Sequence, residues 1–278
     1  MESALYIVAT PIGNLKDITF RAVDVLGAAA VVAAEDTRHT KRLLDSLNIR
    51  AKMVSLHEHN EFERADSLLE RVLRGESVAL VSDAGTPLIS DPGYILVEKA
   101  KARGVKVVPV PGPSAITAAL SVSGVACGKF IFEGFLPAKA KAKRERIAQY
   151  ERETKTVVFY ESPHRILATL EALADIYPNR ILGIARELTK TFETVLNGNT
   201  RELLELVSSD SNQQKGEFVL VLEGAEKVEK APVDFDVERL LGLLLVELPP
   251  KKASAIVAEV LGVKKKDVYQ LALSLKGE

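Results

Sequence analysis

The stretch SVALVSDAGTPLISDPGYILVEKAKARG, residues 77–104, reads in turn as strand, loop and helix. SVAL is short and continuously apolar, and YILVEKAKARG spaces its apolar residues as a helix does. Between them, VSDAGTPLISDPG (81–93) concentrates Gly, Pro and Asp, the residues of turns and close backbone approaches. The same unit recurs along the chain. Apolar or β-branched runs stand at 4–10, 30–35, 77–83, 105–110, 129–135, 156–162, 180–185 and 217–224, and segments such as 60–75 and 163–177 show helical spacing. Continuously apolar strands that alternate with helices imply an α/β protein whose sheets are mainly parallel and covered on both faces.

At 278 residues the chain fits two domains of ordinary size. PVPGPSA (109–115) breaks the alternation with three prolines and suits a junction followed by a helix starting near Ser114. The expected division is an N-terminal α/β domain over 1–113, a second α/β domain over 114–228, and a linker with a small helical, Lys-rich appendage over 229–278. KVEKAPVDFD (227–236) reads as the linker, and PPKKASAIVAEVLGVKKKDVYQLAL as two helices about a Gly-containing turn.

The composition, 47% hydrophobic and 27% charged, is that of a soluble globular protein. A formal net charge of −1 means that affinity for a polyanion must come from local patches. One such patch is KAKAKRER (139–146), where three Lys and two Arg against Glu145 give +4. Another is the appendage, with five Lys against Glu259 between 251 and 266. The single cysteine, Cys127, excludes an intrachain disulfide and leaves little basis for a Cys-based metal site. No basic-then-apolar leader and no membrane-length apolar run is present, so a cytoplasmic protein without a membrane partner is expected.

The loop at 81–93 does not carry phosphate-binding chemistry. A phosphate loop needs Gly-rich amides with a Lys, and the dinucleotide fingerprint needs three spaced glycines opening a helix; neither 9–15 nor 81–88 has either pattern. What it offers is a carboxylate, Asp83, at the carboxyl end of a strand, where open α/β sheets bind ligands. That suits a neutral or positive ligand, although a lone Asp there also serves as a turn or helix cap.

YIVATPIGNLKDIT, EDTRHT, LVSDAGTPLISDPG, PVPGPSA, FYESPHR, ARELTKTFE and KGEFVLVLEG stand in this order along about residues 4–275. Together they resemble the tetrapyrrole-methylase superfamily, and within it the bacterial branch that methylates the ribose 2′-oxygen of a cytidine in 16S rRNA. The resemblance implies two α/β domains with S-adenosylmethionine folded into the cleft between them, and a homodimer. It implies cofactor contacts at Pro11, Ile12, Asp83, Thr86, Ser114, Ala115 and Tyr160, no metal, and 16S rRNA of the small ribosomal subunit as partner.

A ribose hydroxyl is a weak nucleophile while protonated, so a base or a stabilising cation beside it helps. Glu161, Arg186 and Glu187, at strand ends of the second half, are the expected catalytic group, with His164, Arg165 and Lys190 as further candidates. Arg38, Lys139, Lys141, Lys143, Arg144, Lys264 and Lys265 are the expected RNA contacts, against the ordinary alternative that Lys-rich helices are simply solvated. His57 and His59 alternate as on a strand but lack metal-ligand spacing, so a structural or RNA-facing role is expected. Two other functions compete: methylation of a corrin- or porphyrin-like small molecule, and RNA binding without catalysis.

Overall fold

The computed structural model describes residues 1–226 and 237–276; the expected linker at 227–236 lies outside the described residues. Residues Met1–Ala225 form one compact unit and Glu226–Glu278 another.

The first half of the larger unit is a five-stranded, wholly parallel sheet. Its strands are β1 (Leu5–Val8), β2 (Val31–Ala34), β3 (Met53–Ser55), β4 (Val78–Val81) and β5 (Val107–Val110), in the order β3-β2-β4-β1-β5. The helices α1 (Phe20–Ala28), α2 (Thr37–Ser46), α3 (Glu61–Leu73) and α4 (Tyr94–Ala102) supply the crossovers. β2 and β4 are buried at every residue, which is why their sequences read as unbroken apolar runs. One face packs Leu68, Leu69 and Leu96 against Leu80; the other packs Leu26 and Leu44 against Val32 and Ala79. Full burial of each such leucine stabilises by about 1.5–3 kcal/mol.

The second half holds α5 (Ala115–Val122), β6 (Phe130–Phe135), α6 (Ala140–Ala148), β7 (Thr156–Glu161), α7 (Ile166–Ile176), β8 (Ile181–Arg186), β9 (Thr194–Asn199), α8 (Thr200–Ser209) and β10 (Phe218–Leu222). Its sheet runs β6-β7-β10-β8-β9 and corrects the expectation of mainly parallel pairing, since only β6 and β7 are parallel. The short link from β8 to β9 can only return the chain antiparallel, and β10 then inserts antiparallel between β7 and β8. β3 and β9 lie outside the apolar runs, and β3 ends where the alternating stretch from Ser55 begins. His57 and His59 lie in the turn after β3 rather than on a strand, and Asn60 Oδ1 accepts from the His57 N–H at 2.9 Å.

The smaller unit packs α9 (Val237–Glu247), α10 (Pro250–Leu261) and α11 (Lys265–Lys276) around Leu241, Val257, Val268 and Ala272. Gly262 ends α10 in the left-handed conformation (φ 64°), the turn that its position between two helical runs suggests.

Candidate active site

The loops at the carboxyl ends of β1, β2, β4 and β5 converge. Thr10 and Gly85 exchange backbone hydrogen bonds of 2.9 and 3.0 Å, and Gly85 makes this bridge at φ 77°, a conformation that favours glycine. Thr86 Oγ1 donates to the Pro113 carbonyl at 3.2 Å, tying the β4 loop to the junction before α5. Asp83 does not cap its own turn: its Oδ1 accepts from the Asp36 N–H at 3.1 Å and lies 3.9 Å from His39 Nδ1. Asp36 in turn is the N-cap of α2. Leu88 (φ 76°) and Ser90 (φ 66°) hold left-handed backbone without being glycine, a strain that tends to gather at binding loops. Ser114 is the N-cap of α5 and makes no side-chain capping bond.

The facing wall comes from the second sheet. Tyr160 stacks against Phe132 and Phe135 with ring centroids 4.9 and 5.6 Å apart. Burial, then the neighbouring Asp91 charge, push its phenol up to about 12. The adjoining Glu161 side chain is wholly buried. Its Oε2 accepts from Thr169 Oγ1 at 2.6 Å, its Oε1 accepts from the Ser162 N–H at 2.9 Å, and Arg165 Nε lies 3.3 Å away. Behind Thr169, Lys143 Nζ donates to the same hydroxyl at 2.7 Å. Lys143 is 3% exposed, which corrects its expected RNA contact: α6 turns this residue inward under the sheet.

Arg186 also departs from expectation. Side chains alternate along β8, and Ala185 belongs to the face shared with Val158 and Val219 beside the cleft. Arg186 therefore follows Leu182 and Ile184 onto the opposite face, where its Nη1 donates to the Lys215 carbonyl at 3.1 Å and its Nη2 to Thr194 Oγ1 at 3.3 Å. Glu187 (φ 51°) accepts from Lys190 Nζ at 2.7 Å and from the Glu217 N–H at 3.0 Å. Lys190 Nζ also donates to Glu217 Oε2 at 2.7 Å. Burial alone would lower the Lys190 ammonium, but its bonds to the two carboxylates more than offset this and hold it above the usual lysine range.

Between the walls lies a cavity of about 420 Å³. It gathers Ile12, Asp83, Thr86, Ser114, Ala115, Tyr160 and Glu161 from the expected residues, but not Arg186 or Glu187. Two acids that sequence reasoning missed, Glu35 and Asp91, join Asp83 there. Burial, with repulsion from Asp83, pushes the Asp91 carboxyl up to about 6. Burial, then Asp91 and Asp83, raise Glu35 as well. Each sits at or beyond a strand's carboxyl end, the same signal that singled out Asp83. Crowded, partly desolvated carboxylates favour a cationic ligand, whose charge relieves their repulsion. A second cavity of about 720 Å³ adjoins the first and shares Ile12, Asp83, Ala84, Lys190 and Glu217 with it; Pro11, Arg38 and Arg42 are among its other walls.

The remaining candidates lie on the surface. Arg38 pairs with Asp36 at 3.2 Å while its side chain stays 88% exposed. Lys139 precedes α6, Lys141 projects outward 3.9 Å from Glu145, and Arg144 pairs with Asp175 at 2.9 Å. Lys264 and Lys265 are exposed at the start of α11 in the smaller unit. Among the described residues no group of three His, Cys, Asp or Glu side chains could hold a metal ion.

The profile of the tetrapyrrole (corrin/porphyrin) methylases matches residues 4–204. The chain belongs to that family. Its methylase region is followed by a match to the RsmI C-terminal HTH domain over residues 231–276. The chain is 49% identical to the ribosomal RNA small subunit methyltransferase I of Escherichia coli O157:H7, covering 99% of this chain and 96% of that protein. It is 50% identical to the protein of that name from Pseudomonas aeruginosa, with 99% and 98% covered. Among solved methylases, it is similar in fold to the methyltransferase CobJ (TM-score 0.59, 19% identity, 80% of this chain and 94% of that one). The same holds for cobalt precorrin-4 methyltransferase CbiF (TM-score 0.59, 16% identity, 80% and 95%). The two-sheet methylase architecture is thus shared well beyond the close relatives.

Proposed function

We propose that this chain is an S-adenosylmethionine-dependent methyltransferase that methylates the 2′-oxygen of a cytidine ribose in 16S rRNA of the small ribosomal subunit. The observation that carries the reading is the end-to-end similarity to proteins named ribosomal RNA small subunit methyltransferase I. The cavity supports it. Its volume suits a nucleoside-sized ligand, and its donor set fits this one: carboxylates for positive charge, the Ser114 hydroxyl for a carboxylate, and Ile12, Leu188 and Tyr160 as apolar walls.

When bound, S-adenosylmethionine supplies a methyl carbon on a positively charged sulfur, open to in-line displacement. Asp83, Asp91 and Glu35 would hold and orient the positive charge, on loops that the Thr10–Gly85 and Thr86–Pro113 bonds keep in place. Lys190, kept protonated and lining both cavities, would stabilise negative charge on an acceptor oxygen there, whose proton would pass to solvent water as the new O–C bond forms and the methyl–sulfur bond breaks. Glu161 acts through Ser162 and Arg165 by fixing the turn that walls the cavity, since its carboxylate is already bonded on both oxygens. The reading extends to a homodimer in the cytoplasm, with Lys139, Lys141, Arg144, Lys264 and Lys265 on surfaces available to RNA phosphates. No helix among the described residues is long and apolar enough to cross a membrane.

The test is to incubate the protein with labelled S-adenosylmethionine and small ribosomal subunits lacking the modification, digest the RNA, and identify the labelled nucleoside by mass spectrometry. Label in 2′-O-methylcytidine is expected. Cofactor binding without any label in RNA sinks the reading and favours a small-molecule acceptor.

A further inference from the structure

We propose that the second cavity seats the acceptor strand, with Arg38 and Arg42 of α2 taking phosphates on either side of the target ribose. The inference deepens the rRNA-methylation reading and rests on it.

A two-substrate transferase must bring its acceptor to the edge of the cofactor site. The two cavities share the lining residues Ile12, Asp83 and Lys190, so a nucleotide in the second one and a ligand in the first would border the same side chains. At about 720 Å³ the second cavity has room for a nucleotide with flanking backbone. Its charges are sorted. Asp36 is engaged by Arg38 and is the α2 cap, Asp83 accepts from the Asp36 N–H, and Glu217 is bonded to Lys190. Arg42 is exposed and makes no hydrogen bond or ion pair among the described residues. It stands one helical turn after Arg38, so the two guanidiniums share a face of α2 and line the same cavity. An arginine pair presents planar, multiply donating groups, which suits phosphodiester oxygens. The Arg38–Asp36 pair is solvent-exposed and therefore weak, so a phosphate can compete for Arg38. His39 lines the same cavity beside them and adds a ring nitrogen that can donate to the strand.

The experiment compares the full-length wild type with Arg38→Gln, Arg42→Gln and the double variant. Methyl transfer to small ribosomal subunits lacking the modification is followed over a potassium chloride series, and S-adenosylmethionine affinity is measured by calorimetry. Each single variant is expected to raise KM for the subunit by roughly tenfold and to make the salt dependence of kcat/KM shallower by about one charge, with cofactor affinity unchanged. A double variant with wild-type KM and salt slope overturns the proposal and leaves the methylation reading standing. A loss of cofactor affinity equal to the loss of kcat/KM also overturns it, by moving the arginines to the cofactor side. Wild-type protein that labels no RNA overturns the methylation reading itself, and this proposal with it.

Discussion

Lys143 Nζ donates to Thr169 Oγ1 at 2.7 Å, and through that hydroxyl a buried cation is linked to the Glu161 carboxylate at the cavity wall. Burial pulls the Lys143 ammonium below its ordinary range. Thr169→Val removes both bonds at nearly constant volume. The expected result is a loss of about 1–3 kcal/mol in denaturant unfolding. A severalfold rise in KM for the cofactor should accompany it, and Thr169→Ser should restore both. Lys143→Met should leave KM for the RNA substrate unchanged; a rise in that constant alone would return Lys143 to the RNA surface.

Asp91 gives a pH signature. Its carboxyl is raised from the usual 3.8 to about 6, so the folded protein binds a proton there that the unfolded chain has lost. The stability linked to that proton is fully present below about pH 4, is lost as pH rises through 6, and stays lost above. The shift corresponds to about 3 kcal/mol, which partial exposure reduces to the order of 1–2 kcal/mol. Asp91→Asn is therefore expected to be more stable than wild type at pH 7.5 by that amount and equal to it near pH 4. Denaturant unfolding at both pH values checks this, and an equal offset at both would exclude Asp91 as the titrating group.

Asp83→Ala should weaken cofactor binding by roughly tenfold or more while far-UV circular dichroism stays unchanged, because a charge-assisted bond to a cationic ligand is lost. Near-normal affinity in calorimetry removes Asp83 from the site.

Gly13 has no room for a side chain. An added Cβ would lie 2.4 Å from Lys190 Cγ, 2.9 Å from Thr189 Oγ1 and 3.1 Å from the Leu188 carbonyl. Asn14 N–H also donates to Thr189 Oγ1 at 3.1 Å, so the β1 loop is seated on the segment that carries Lys190. Gly13→Ala is expected to cost about 1–3 kcal/mol by overpacking and to lower kcat more than it raises KM for the cofactor. Wild-type kcat in this variant would show that Lys190 need not hold its position.

Arg186→Met tests the corrected role of Arg186. Two hydrogen bonds to Lys215 and Thr194 are lost, so stability should fall by about 1–3 kcal/mol while kcat stays within threefold of wild type. A collapse of kcat without loss of stability would restore Arg186 to the chemistry.

The sequence by itself determined the strand–helix alternation, the α10–α11 pair about Gly262, and the loops at 9–15, 81–93 and 109–115 that form the cleft. Each is a local property, since apolar period and turn residues record the burial and backbone conformation of the segment that contains them. The direction of β10, the inward turn of Lys143 and the face on which Arg186 lies were decided only by tertiary structure. Glu35, Asp83 and Asp91 become one electrostatic group because loops after β2 and β4 meet, and Lys143 finds Thr169 across a separation of 26 residues. Burial of a charged side chain depends on what the rest of the chain packs over it, and a one-residue step along a strand sends that side chain to the other face.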